Sequence, residues 1–170
     1  MNPIILGNLF SIFAMVSDAF SSSRKTAKGV LTVQLFSQVF YGTSSIVLGG
    51  YSGAAQNGVS LLRNLAAIAK LNQKFIEWFL IILGVVLGIL FNNMGLLGWL
   101  PTIANLEYSL AVFRFKDNER ALKYAFLVNV AMFAVFNAVI LNFVAVISNI
   151  IVIVLTILFL IRSRNTPTTR

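Results

Sequence analysis

The sequence predicts an all-α integral membrane protein with seven transmembrane helices, built as two parallel three-helix repeats joined by a connecting helix. Three observations carry this prediction: the composition, the placement of the basic residues and a weak internal duplication. Hydrophobic residues make up 58% of the chain and charged residues 11%, against roughly 45–50% and about 25% in soluble domains. So few charges could not cover a water-facing surface, and we therefore expect the lipid bilayer to surround the chain.

The composition also narrows the chemistry. The chain contains no Cys and no His, so disulfides, thiol chemistry and the usual zinc and haem ligands are absent, and we expect no cofactor and no metal. The net charge of +8 would suggest nucleic acid in a soluble protein. Here the basic residues separate apolar segments, which the positive-inside rule explains without a nucleic-acid partner. No nucleophile–base constellation or paired carboxylate is present, so we do not expect an enzyme.

A helix needs about 20 mostly apolar residues to cross the hydrocarbon core, and this length divides the chain into spans. The predicted spans are about 3–20, 29–48, a third that ends near residue 70, 75–91, 96–113, 120–139 and 142–161. As one helix, 121–161 would be about 60 Å long, twice the hydrocarbon thickness. We therefore expect a reversal between Asn137 and Asn142, although no Gly or Pro marks it. A single very long helix is the alternative, and it would place many apolar residues in water.

The basic residues indicate the orientation. All thirteen Lys and Arg residues fall in four clusters, and each cluster follows an odd-numbered span: Arg24-Lys25-Lys28, Arg63-Lys70-Lys74, Arg114-Lys116-Arg120-Lys123 and Arg162-Arg164-Arg170. Because basic loops stay in the cytoplasm, we expect a multi-pass protein of the bacterial inner membrane with its N-terminus outside. No positive charge precedes the first span, which we therefore expect to be retained and not cleaved as a signal peptide. The tail, 163–170, is predicted to be cytoplasmic and disordered.

The duplication defines one transmembrane domain, 1–162, with repeat one at 3–70, a connecting helix at 75–92 and repeat two at 96–162. An offset of 91 places Gln38 on Asn129, and an offset of 92 places Asn57 on Asn149. Parallel repeats are a transporter architecture with its site near the midplane between the halves. Chance alignment of apolar helices is the alternative reading.

Amide side chains lie inside the predicted spans. Five of them fall near the middle of their spans and are the candidate substrate-binding residues: Gln38, Asn57, Asn105, Asn129 and Asn149. An amide cannot face lipid cheaply, so these residues should converge on a wetted cavity or, alternatively, hydrogen-bond helix to helix. Gln34, Gln38, Tyr41 and Ser45 fall on one face of the second span and form a polar stripe. Amides in such stripes indicate either a binding site for a small polar solute or packing contacts.

Two ionisable residues lie deeper than the loops. Arg63 and Glu107 are predicted at the same depth and are candidates for gating or an ion pair. Arg63 could instead extend its side chain to the cytoplasmic interface. Gly84 and Gly88, four residues apart on the connecting helix, allow close helix contact either within the monomer or across a homo-oligomer.

Two segments carry a resemblance to a known family. The stretch from Phe40-Tyr41-Gly42 through Tyr51-Ser52-Gly53-Ala54-Ala55-Gln56-Asn57 to Arg63-Asn64, and the later Leu100-Pro101-Thr102-Ile103, resemble the YgjV family of bacterial inner-membrane proteins. That family is more distantly similar to the SWEET, PQ-loop and PnuC type transporters. The resemblance implies that Asn57 and Asn149 face a solute at mid-membrane. The Pro-Gln pair of PQ-loop proteins is absent, and the aromatic residue that usually stacks on a sugar is not identifiable.

Two functions follow as hypotheses. The first is a transporter or facilitator for a small polar solute, which alternates access between two three-helix bundles. The second is a non-transporting membrane protein, such as an accessory or sensor subunit, in which the polar stripes only pack helices.

Overall fold

The computed structural model describes residues 2–22, 24, 26–71, 74–115 and 118–164. Over these residues the chain forms seven α-helices and a short 3₁₀ turn, Leu97–Trp99. The helices are α1 (Pro3–Ser22), α2 (Ala27–Val47), α3 (Tyr51–Ile68), α4 (Lys74–Leu90), α5 (Leu100–Arg114), α6 (Glu119–Val139) and α7 (Phe143–Arg164). Each predicted span thus contains one helix, while the end of the predicted tail, 165–170, lies outside the described residues.

Side chains cap the starts of several helices, α2 and α6 among them. Thr26 Oγ1 accepts a hydrogen bond of 3.1 Å from the Gly29 backbone N–H at the start of α2. Asn118 Oδ1 accepts one of 3.0 Å from the Ala121 N–H at the start of α6. Such caps satisfy backbone donors that have no partner inside the helix, and here they fix the points at which both helices begin.

The chain reverses between α6 and α7 within the interval that the sequence indicates. α6 ends at Val139 and α7 begins at Phe143, so the alternative of one very long helix is wrong. Leu141 makes the turn with a φ of 59°, in the left-handed region that normally favours glycine. Gly49, between α2 and α3, takes a φ of 77° for the same purpose. The sequence did not mark the second turn because a leucine occupies the left-handed position.

Six of the helices form a closed ring. Going around it, α1 packs on α2, α2 on α3, α3 on α5, α5 on α6, α6 on α7, and α7 on α1. Small residues lie at these contacts, among them Ala14, Ala104 and Ala145, which are at most 1% exposed. Small side chains let helix backbones approach closely in a membrane, so the ring is held by close helix packing.

α4 lies outside the ring, against α3 and α5. Gly84 faces Gln56 and Val59 of α3, where an added Cβ would lie 3.4 Å from Gln56 Oε1. Gly88 faces Thr102 of α5, and an added Cβ would collide with its side chain. Both glycines are therefore used for contacts within the monomer.

The outer surface of the bundle is apolar. Leu96 is 89% exposed, Phe75 77% and Leu90 70%. Proteins that are surrounded by water rarely expose so many large apolar side chains. Four helices, α1, α2, α6 and α7, are long and apolar enough to cross a membrane by length and composition. α3, α4 and α5 do not meet that criterion, because α4 and α5 have only 17 and 15 residues and α3 carries a buried polar face.

Candidate functional site

A cavity of about 500 Å³ lies inside the six-helix ring. Every ring helix contributes to its wall: α1 with Asp18 and Ser21, α2 with Gln34, Gln38 and Tyr41, α3 with Asn57, Ser60 and Arg63, α5 with Asn105 and Tyr108, α6 with Phe126, Asn129 and Phe133, and α7 with Ser148 and Asn149. A wall this rich in hydroxyl and amide groups suits water or a polar ligand. Its volume is within the usual range for small-molecule sites.

The structure brings the five predicted amides together around this one cavity. Four of them, Gln38, Asn57, Asn129 and Asn149, have side chains that form no hydrogen bond with any other residue of the described chain. Asn149 Nδ2 is fully buried and still has no partner there. Buried polar atoms are nearly always paired, so Asn149 differs from a residue that only joins helices. Gln38, Asn57 and Asn129 line the cavity without a hydrogen bond that would join one helix to another.

Asn105 is the exception among the five. Its Nδ2 donates to Gln56 Oε1 at 2.9 Å and to the Gln56 backbone carbonyl at 3.2 Å. Gln56, only 1% exposed, in turn donates to the Gly84 carbonyl at 2.8 Å. Asn105 and Gln56 therefore join α3, α4 and α5, in the packing role that was the alternative reading for every amide.

Arg63 and Glu107 do not meet. Arg63 lines the cavity and Glu107 does not, and across the described residues no ion pair joins the two side chains. Glu107 Oε2 is buried without a hydrogen-bond partner. Glu107 is two positions after Asn105, so its side chain is turned about 200° around the helix from that of Asn105. Glu107 therefore shares the outer face of α5 with the exposed Ile103 and Leu110.

Asp18 and two aromatic residues of the cavity wall were missed from the sequence, whereas Tyr41 belonged to the predicted polar stripe of the second span. Asp18 is the acidic residue of α1, and its place inside the first span was the available signal. Tyr41 faces the cavity as the polar stripe of α2 predicts, and its hydroxyl donates to Ser148 Oγ at 3.3 Å. Phe126 and Phe133 of α6 supply an aromatic wall, which no pattern in an apolar helix distinguishes from a lipid-facing surface.

The end of the cavity nearest the α2–α3 and α6–α7 turns is closed by contacts between α1, α2 and α3 on one side and α6 and α7 on the other. Phe136 of α6 is 1% exposed and packs against Gly50 and Gly53 at the start of α3. Nearby, Asn142 Nδ2 donates to Ser44 Oγ at 3.1 Å, which itself donates to the Gly7 carbonyl at 2.7 Å. This layer of contacts separates the cavity from the α2–α3 and α6–α7 turns.

A second cavity of about 390 Å³ lies between α3, α4 and α5. Its wall is largely apolar, with Leu80, Ile81 and Leu106 among its residues. The two cavities share the side chains of Gln34, Arg63, Asn64, Asn105 and Tyr108. These shared residues form the partition between the ring interior and the space under α4.

Residues 5–166 match the Imp-YgjV family, described as a bacterial inner membrane protein. The chain belongs to this family. The membership confirms the resemblance read from the glycine turn and the start of α3, and with the apolar helices it supports a membrane-spanning location in the bacterial inner membrane. No curated protein and no solved structure matches the chain. Within the described residues, no group of three or more Asp, Glu, His or Cys side chains could hold a metal ion.

Proposed function

We propose that the protein is a carrier or facilitator for a small polar solute, which binds in the cavity of the six-helix ring. The observation that carries the proposal is the set of four amides, Gln38, Asn57, Asn129 and Asn149, whose side chains face the cavity without a hydrogen-bond partner in the described chain. Asn149 Nδ2 is buried, and leaving such a polar group unpaired costs about 1–3 kcal/mol. A bound solute, or the water it replaces, would supply the missing partners.

The helix boundaries support two parallel repeats related by 92 residues. α2 runs from 27 to 47 and α6 from 119 to 139, so both ends differ by 92. The capping residues Thr26 and Asn118 are related by the same offset. The final turns match as well, because Gly50 N–H donates to the Ser45 carbonyl at 2.7 Å and Asn142 N–H donates to the Asn137 carbonyl at 2.8 Å. The arrangement would be three helices, one connecting helix and three helices.

This register changes one predicted correspondence and keeps another. Asn57 and Asn149 remain equivalent, in agreement with the roles that the SWEET resemblance implies for them. Asn129 becomes equivalent to Ser37, so the predicted pairing of Gln38 with Asn129 does not fit this register. The ring contacts follow the same symmetry, since exchange of the two triplets converts the α1–α7 contact into the α5–α3 contact.

Seven spans are consistent with the helix lengths. α4, with 17 residues, is about 26 Å long, and α5 with its preceding 3₁₀ turn is about 28 Å long. Both approach the hydrocarbon thickness of about 30 Å. α3 would cross in the same way with its polar face turned into the ring. With seven spans, the one-sided basic clusters favour an N-terminus on the outside.

The contacts between the triplets suit alternating access. The hydrogen bonds that join them lie in the outer halves of their helices, as for Asn142 with Ser44 and for Tyr41 with Ser148. Asn8 adds two more at that end, from its Nδ2 to the Leu141 carbonyl at 2.9 Å and from the Val144 N–H to its Oδ1 at 3.0 Å. The structure would thus correspond to a state closed on the outside, and rocking of one triplet would open it.

A ligand screen tests the proposal. Thermal unfolding of the purified full-length protein in detergent is followed with a panel of sugars, nucleosides, vitamins and amino acids. We expect at least one class to raise the unfolding temperature, and the double change Asn57→Ala with Asn149→Ala to remove that response. A panel with no stabilising member contradicts the proposal. A response that survives the double change places the site elsewhere.

Cysteine labelling separates this function from that of an accessory or sensor subunit. The chain has no Cys, so a single cysteine at Gln38 or Asn129 reports its own access to water. A carrier should expose both positions to a polar maleimide added to open membranes, whereas Val135→Cys on the outer face, 52% exposed to the lipid side, should stay unlabelled. No labelling at either cavity position favours a packing role.

A further inference from the structure

The cavity wall carries one acid and one base. Among the described lining residues, Asp18 of α1 and Arg63 of α3 are the acidic and basic side chains. Asp18 lies four residues before the end of α1 at Ser22, and Arg63 lies five residues before the end of α3 at Ile68. With a rise of 1.5 Å per residue, both are about 6–8 Å from the ends of their helices. The two charges therefore lie at similar depth, near the inner end of the cavity.

The two charges do not neutralise each other directly. No ion pair between them occurs in the described part of the chain. α2 packs between α1 and α3, and no α1–α3 contact comparable to those of the ring is present. Since packed helices lie about 8–10 Å apart, α2 keeps the carboxylate and the guanidinium on separate parts of the wall.

We infer that the cavity binds a zwitterion, whose ammonium group lies at Asp18 and whose carboxylate lies at Arg63. This inference rests on the proposed function. Charges inside a membrane protein are costly unless paired, and a zwitterion pairs both at once. A simple anion would be attracted by Arg63 and repelled by Asp18. A simple cation would be attracted by Asp18 and repelled by Arg63. A ligand without charge would leave both uncompensated.

The aromatic residues of the cavity wall indicate what kind of side chain the ligand carries. Phe126 of α6 packs near Tyr108 of α5, with ring centroids 5.8 Å apart. Phe133 lies about two helical turns further along the same face of α6. Aromatic rings of this kind pack well against an apolar or aromatic group. An amino acid with an aromatic or large apolar side chain combines both features, so this is the chemical class we assign.

Four compounds with one ring and different charges form the probe set: L-phenylalanine, phenethylamine, phenylpropionate and phenylethanol. We expect L-phenylalanine to raise the unfolding temperature of the full-length protein in detergent more than any of the other three. Asp18→Asn should weaken the affinity for L-phenylalanine at least tenfold and should weaken phenylpropionate less or strengthen it. Arg63→Gln should likewise weaken the affinity for L-phenylalanine at least tenfold, and it should weaken the affinity for phenethylamine less or strengthen it. Glu77→Gln, which removes an acid outside the central cavity, should change none of these responses.

The outcomes distinguish this inference from the proposed function. An equal response to phenethylamine or phenylpropionate, or an unchanged affinity for L-phenylalanine in Asp18→Asn, overturns the zwitterion assignment. If a neutral sugar stabilises the protein and L-phenylalanine does not, the assignment fails while the carrier proposal stands. If variants lose all response, circular dichroism and gel filtration show whether they are folded, and a folded Asp18→Asn that loses only the L-phenylalanine response supports the assignment.

Discussion

Phe136 of α6 lies against Gly53 of α3 so closely that no methyl group would fit between them. A Cβ at Gly53 would come within 2.9 Å of Phe136 Cζ and closer still to its Cε1. This contact joins α6 to α3 at the end of the cavity nearest the α2–α3 and α6–α7 turns, where Phe136 is 1% exposed. The side chain of Phe136 therefore leaves little room for change in the contacts that close this end of the cavity.

Gly53→Ala should loosen this closure. The added methyl group forces Phe136 or the start of α3 to move, and overpacking of this kind usually costs about 1–3 kcal/mol. We expect a lower unfolding temperature in detergent together with faster labelling of a cysteine at Asn149. Gly58→Ala on the same helix is the matched control, because nothing lies within 4 Å of its added Cβ. If both variants unfold alike, the Phe136 contact is not a closure.

The pair Gln56 and Asn105 should be energetically coupled. Gln56→Met leaves Asn105 Nδ2 without its 2.9 Å acceptor and removes the 2.8 Å bond to the Gly84 carbonyl. Asn105 Nδ2 keeps the Gln56 backbone carbonyl at 3.2 Å as an acceptor. Since interhelical hydrogen bonds in membranes contribute about 0.6 kcal/mol each, the two lost bonds give an expected loss of about 1 kcal/mol. The double variant with Asn105→Leu should cost clearly less than the sum of the single changes. Additive losses would show that the two side chains act separately.

Leu141→Gly should stabilise the protein. Leu141 holds a φ of 59°, and a side chain in that region costs roughly 1–2 kcal/mol. Part of this gain is offset by the greater chain entropy of glycine when unfolded, which leaves about 0.5–1 kcal/mol. Gly49→Leu, at a φ of 77° in the α2–α3 turn, should destabilise by a similar amount. Unfolding temperatures of the two variants in one detergent check the opposite signs.

The orientation in the membrane can be checked with two exposed leucines. Leu96, 89% exposed, precedes α5, and Leu71, 47% exposed, follows α3. In intact spheroplasts, a membrane-impermeant maleimide should label Leu96→Cys directly and Leu71→Cys only after the membrane is opened. The positive-inside rule gives this expectation, since the basic cluster around Lys70 and Lys74 stays inside. The reverse labelling would invert the proposed orientation.

Residue patterns predicted the helices well because the thickness of the bilayer sets how long an apolar run must be to cross it. Polar and charged breaks at Arg24 and Lys70 marked the helix ends, and the reversal near Asn142 followed from length alone. Leu141 shows the limit of that reasoning. When a residue other than glycine takes the left-handed position of a turn, local residue preference does not reveal the turn, because contacts with neighbouring residues hold that conformation in place.

Side-chain direction was harder to predict. The amides Gln38 and Asn149 could be assigned to the interior because lipid excludes them. The aromatic wall of Phe126 and Phe133 could not, since apolar residues suit the lipid and the cavity equally. Glu107 was expected near Arg63 on depth alone, but the rotation of α5 carries it to the outer face. Depth follows from counting residues, whereas rotation depends on the packing of the whole ring.

The position of α4 divides the ring into unlike sides. α4 covers the junction of α3 with α5, whereas in the described chain no helix lies over the junction of α1 with α7. Around that bare junction, Ile5 is 62% and Phe143 55% exposed, so lipid chains press directly on it. A change in bilayer thickness or lateral pressure would therefore reach the α1–α7 junction without the cover that α4 gives to the α3–α5 junction. In the proposed carrier, the lipid composition of the membrane would then influence how readily the cavity opens.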